Sequence, residues 1–115
     1  MLHIQRVGGG GGGQVVVVVA GQVDLATAPQ LAEALALARR EAPQEIVADL
    51  TKVDFLDSVG VRVLVEAARE AGQQDSSLSV RGATGWVARV LEITGVEDYL
   101  RVIPAQPAGS GEAER

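Results

Sequence analysis

The sequence predicts an α/β domain: a mixed sheet of four or five strands with helices packed mainly on one side. Three observations predict it. β-branched runs alternate with segments of helical periodicity, the pattern of β-α-β units and a largely parallel sheet. The first two apolar runs have only glycines between them, so they form a hairpin and add antiparallel pairing. Hydrophobic residues make up 47% of the chain but aromatics only 3%. A core of Val, Leu, Ile and Ala follows, which suits a sheet covered by helices. A length of 115 residues fits one domain, placed at residues 1–103, with 104–115 as a tail.

The elements are justified in chain order. "LHIQRV" (2–7) is close to a two-residue alternation and reads as a strand. The glycines at 8–13 read as a flexible loop. They do not make a phosphate loop, because no Lys-Ser/Thr follows and the next element is a strand. "QVVVVVAGQVD" (14–24) is that second strand. "TAPQLAEALALARREA" (27–42) is a helix. Thr27 and Gln30 have capping-box spacing, Pro29 lies in the first turn, and Leu31, Leu35, Ala38 and Ala42 form an apolar stripe. "EIVADL" opens a strand so continuously apolar that it belongs at the centre of the sheet.

"SVGVRVLVEAAREAG" (58–72) is the second helix. Val61, Leu64, Val65, Ala68 and Ala71 share one face; Arg62, Glu66, Arg69 and Glu70 share the other. Val59 and Val63 fall between the faces. Arg62 and Glu66 have the spacing of an ion pair, and Gly72 stands at the expected stop. "SLSVRG" (77–82) is a strand. "TGWVARVLEITG" (84–95) is a short helix with Thr84 at its start and Gly95 at its end. "YLRVIP" (99–104) is the last strand. The remainder is rich in Pro, Gly, Ser and charge and reads as disordered.

Composition excludes several functions. Ten basic against fifteen acidic residues give a net charge of −5, which argues against nucleic acid or an anionic membrane as partner. With no cysteine and a single histidine, His3, a thiolate metal site and a serine hydrolase triad lack their parts. The expectation is no catalytic residue, no metal and no cofactor. Asp24, Asp49, Asp54 and Asp57 do not make the acidic pair after the first strand that a magnesium-dependent receiver needs. "MLHIQRV" lacks a signal-peptide core, and "VVVVVA" is too short to span a bilayer. A soluble, cytoplasmic protein is expected.

Two readings of "FLDSVGVRVLV" (55–65) stand open. Ser58 either caps the second helix through its hydroxyl or is a modification site. A helix N-terminus stabilises an added phosphate, and Gly60 leaves room for a kinase. Phosphorylation adds roughly −1.5 to −2 charges beside Asp57 and removes a partner surface using Val59 and Val63.

"AGQVDLATAPQL", "VADLTKVDFLDSVGVRVLVEA" and "TGWVARVLEITGVEDYL" together resemble, in order, the blocks of STAS-domain anti-sigma factor antagonists. The resemblance covers roughly residues 2–103. It implies a binding protein, not an enzyme. Unmodified, such a protein binds an anti-sigma factor that is also a serine kinase, and so frees a sigma factor. The kinase phosphorylates the serine matching Ser58, the phosphoprotein lets go, and a PP2C-type phosphatase resets it. Carried over, Asp24, Asp57, Ser58, Val59, Gly60, Arg62 and Val63 form the docking surface; Asp24 read alone is equally a turn residue. Gln22 stands where the family often has Glu, and Val59 replaces a usual second small hydroxyl. The residues after Pro104 lack the pattern of the final helix many members carry. Two alternatives remain: a STAS subunit of a lipid-transport or sensory scaffold complex, not switched by phosphorylation, and a small ligand- or nucleotide-binding module.

Overall fold

β-branched residues pack well on a pleated surface, and five stretches of this chain become strands. A computed structural model describes residues 1–8 and 13–104. The order is β1 (Leu2–Gly8), β2 (Gln14–Val23), α1 (Ala28–Arg40), β3 (Glu45–Leu56), α2 (Ser58–Gly72), β4 (Ser77–Arg81), α3 (Gly85–Ile93), a 3-10 turn (Val96–Asp98) and β5 (Arg101–Ile103). Most of the expected glycine loop (9–12) and tail (105–115) lies outside the described residues.

The sheet order is β1-β2-β3-β4-β5, with β1 antiparallel to β2 and every later pair parallel. β3 is central, as its apolar run predicts; Ile46, Val47, Ala48 and Leu50 are all buried. Side chains alternate along a strand, so Val15, Val17, Val19, Ile46, Ala48, Leu78 and Val80 share one face. That face meets Leu31, Leu35 and Ala38 of α1, Val61 and Leu64 of α2, and Val87 and Leu91 of α3 in one core. The β2–β3 register shifts at Gly21. Its φ is +111°, and a Cβ there would collide with the Met1 carbonyl oxygen, so no side chain fits.

The other face of the sheet carries a polar ladder. Ser79 Oγ donates to Glu45 Oε2, Gln14 Nε2 donates to Glu45 Oε1 at 2.9 Å, and Arg81 Nε donates to Asp49 Oδ2 at 3.2 Å. The bonds from Ser79 first, then Gln14, hold the Glu45 carboxyl below its ordinary value. Burial pushes the Asp49 carboxyl up, but bonds from Thr51 and Arg81 outweigh it and leave the group lowered. Both carboxylates stabilise the fold above their unfolded values of 4.5 and 3.8. That stabilisation is lost as pH falls through the lower folded values.

Several local expectations are corrected. Thr27 and Gln30 form no capping box. Thr27 Oγ1 donates to the Gln22 carbonyl at 2.8 Å and accepts the Asp24 N–H, while Gln30 Nε2 reaches back to the Leu2 carbonyl at 3.1 Å. Ala42 leaves the apolar stripe: it is exposed beyond the end of α1 with φ +53°. α2 does end at Gly72, as expected, but the left-handed residue of the following turn is Asp75. Thr84 occupies the α3 N-cap position without a side-chain bond, and Gly95, at φ +70°, follows its end as expected. Among the described residues the ion pair on α2 is Arg39–Glu70 at 3.0 Å, which ties α1 to α2, rather than Arg62–Glu66. No helix of the described residues is long and apolar enough to cross a membrane.

Candidate functional site

In a parallel sheet the loops after each strand gather at one edge. Here the β2–α1 and β3–α2 loops and the start of α3 meet there. The Asp57 N–H donates to the Val23 carbonyl at 3.2 Å, which sets Asp24 beside the start of α2.

The start of α2 differs from the capping expectation. Asp57 has extended backbone (φ −109°, ψ −174°), and its Oδ1 accepts the N–H groups of Val59 at 3.0 Å and Gly60 at 3.3 Å. Asp57 is therefore the N-cap, and Ser58 is the first helical residue. Ser58 is exposed, and no hydrogen bond involves its hydroxyl among the described residues. The fold does not use this side chain. Two of the first-turn N–H groups open to a phosphate at a helix start, those of Val59 and Gly60, are already taken by Asp57. A phosphate there meets the helix dipole and a carboxylate at once. Asp57→Ala is expected to cost about 1 kcal/mol of stability, the usual worth of such a cap. Ser58→Ala is expected to stay within about 0.5 kcal/mol of the parent, as exposed substitutions do. Urea midpoints of the two variants check this, and the opposite order would restore Ser58 as the cap.

Gly60 has a different job from the one expected. It is buried, and a Cβ there would lie 2.5 Å from Leu56 Cδ1 and 2.6 Å from Val23 Cγ1. The glycine brings α2 down onto β2 and β3; it does not open the site. Asp24 Oδ1 accepts the N–H groups of Ala26 and Thr27, both at 3.0 Å, so this carboxylate shapes its own turn. Val59 is half-buried beside Ser58, and Arg62 is exposed. Val63, half-buried, lines the groove between α1 and α2 with Ala36 and Ala67. Among the described residues no cluster of His, Cys, Asp and Glu could hold a metal ion.

The sequence reading missed the apolar side of this edge. Phe55, Ser58, Trp86, Val90 and Ile93 line one shallow groove between the end of β3 and α3. Trp86 is 60% exposed and Ile93 64%; Leu25, next to Asp24, is 74% exposed. A signal was available. Trp86, Val90 and Ile93 fall at i, i+4 and i+7, a second apolar stripe beside the Val87–Leu91 stripe that α3 buries.

Known proteins share this architecture. The family model described as "Mlab, STAS domain" matches residues 10–104. The anti-sigma-B factor antagonist of Staphylococcus aureus (strain NCTC 8325 / PS 47) is 33% identical over 84 residues, 73% of this chain and 78% of that protein. The crystal structure of an anti-sigma factor antagonist from Mycobacterium paratuberculosis superposes with a TM-score of 0.80 at 28% identity, covering 91% of this chain and 87% of that one. The Bacillus cell fate determinant SpoIIAA in its phosphorylated form superposes with a TM-score of 0.67 at 18% identity, covering 92% and 94%.

Proposed function

The chain belongs to the STAS domain family of anti-sigma factor antagonists, and from that premise we propose that Ser58 is its phosphorylation switch. Unmodified, the chain binds an anti-sigma factor that is also a serine kinase, through the edge formed by Asp24, Asp57, Ser58, Val59, Arg62 and Val63, with buried Gly60 seating the start of α2 beneath it. That frees a sigma factor in the cytoplasm. The kinase transfers a phosphoryl group from ATP to the Ser58 hydroxyl, the complex parts, and a PP2C-type phosphatase resets the chain. ATP and the acid–base chemistry belong to the kinase; this chain contributes the acceptor and the surface around it.

One observation carries the reading: the Ser58 hydroxyl is exposed and unused, because Asp57 makes the cap. Phosphate added there sets two negative groups side by side at the end of α2, and a partner covering Val59 must then desolvate both. The test is phosphoryl transfer. Incubated with ATP and the source organism's kinase-type anti-sigma factor, the chain is expected to gain one phosphoryl group. Tandem mass spectrometry is expected to map it to Ser58, and Ser58→Ala to gain none. Modification elsewhere, or none, removes the switch and favours a STAS subunit that works unmodified in a larger assembly.

A further inference from the structure

The groove beside Ser58 is unlike the rest of the exposed surface. Of the eight large hydrophobics exposed among the described residues, Leu25, Phe55, Trp86 and Ile93 lie at the Ser58 edge, and three of those line the groove itself. Its apolar walls come from β3 and α3, and Ser58 forms its rim. Asp57 is the one carboxylate among the lining residues, beside the hydroxyls of Ser58 and Thr94. Trp86 is the chain's only tryptophan.

We propose that this groove is the anchor site for the kinase-type anti-sigma factor: it takes an apolar side chain of that partner, flanked by Lys or Arg, and holds the kinase over Ser58. This rests on the phosphorylation reading above. Continuity with Ser58 carries it, because a nucleotide site brought to the hydroxyl lies directly over the groove. Charge supports it, since the Asp57 carboxylate at the rim, on a chain of net charge −5, favours a cationic flank. A large aromatic beside a rim of polar groups is the usual make-up of an interface hot spot. Trp86 and Ile93 then set which kinase is accepted, while Ser58 sets when it is released.

The test titrates the purified kinase-type anti-sigma factor against four full-length proteins: wild type, Trp86→Ala, Ile93→Ser and Leu37→Ala. Leu37 is exposed on α1 and serves as the control. Melting curves establish that each variant folds, which the exposure of these side chains favours. Trp86→Ala is expected to weaken binding about 10- to 100-fold, Ile93→Ser about 10-fold, and Leu37→Ala to leave it unchanged. Trp86 fluorescence in the wild type is expected to shift blue as the kinase is added. If wild type binds and is phosphorylated at Ser58 but both groove variants bind equally well, the anchor is overturned and the switch stands. If wild type neither binds nor accepts phosphate, both fall. A blue shift on concentrating the protein alone gives the groove to a second copy and overturns the proposal.

Discussion

Gly60→Val is expected to remove a large part of the protein's stability. The Cβ alone would press on Leu56 and Val23, which are 1% and 0% exposed, and neither side chain can yield without moving the core. Overpacking of this kind costs about 1–3 kcal/mol. In Gly60→Ala the better helix propensity returns about 0.8–1 kcal/mol, so the net loss is expected between about 0 and 2 kcal/mol. Valine adds two methyl groups to the same contact and stiffens χ1. Its loss is expected to reach about 3–5 kcal/mol, a large part of the 5–15 kcal/mol that holds a typical domain together. Urea unfolding of the three proteins, followed by far-UV circular dichroism, measures it. Wild-type midpoints for Gly60→Ala and Gly60→Val would return the glycine to the role of an access point.

Ser58→Glu is expected to lower affinity for the kinase-type anti-sigma factor about a hundredfold, while Ser58→Ala binds within about threefold of wild type. The new carboxylate stands at the first residue of α2 beside Asp57, which already holds the cap hydrogen bonds. Asp57 already occupies the Val59 and Gly60 N–H groups, so only exposed Arg62, one turn on, is placed to offset the new charge, and a partner closing over Val59 and Phe55 must take the carboxylate out of water. An unpaired charge in an interface costs about 2–5 kcal/mol; about 2.8 kcal/mol is a hundredfold. The folded state changes little, so the loss belongs to binding and not to stability. Calorimetric titration of the three proteins, with melting curves alongside, separates the two. Equal affinity in all three places Ser58 outside the interface.

The sequence carried the architecture because its signals are local. Alternating β-branched runs and helical stripes are readable within ten residues of themselves, and the continuous apolar stretch at Ile46–Ala48 located the central strand. The details that failed depend on distant partners or on a choice between neighbours. Asp57 and Ser58 are both good caps, and only the extended backbone at Asp57 decides between them. Gly60 faces Val23, a contact no local pattern contains. Thr27 looked like a capping-box residue, but the Gln22 carbonyl claims its hydroxyl. Trp86 and Ile93 were legible as a stripe, yet their place beside Ser58 follows only from laying α3 along the end of β3.

The Ser58 edge is drawn from three separate crossovers, after β2, after β3 and after β4. No continuous peptide contains it. An antibody raised against a linear fragment around Ser58 would see one contributor of three, and a partner gripping all of them senses whether the chain is folded at all. A denatured or clipped copy, though it still carries the serine, offers such a partner no foothold.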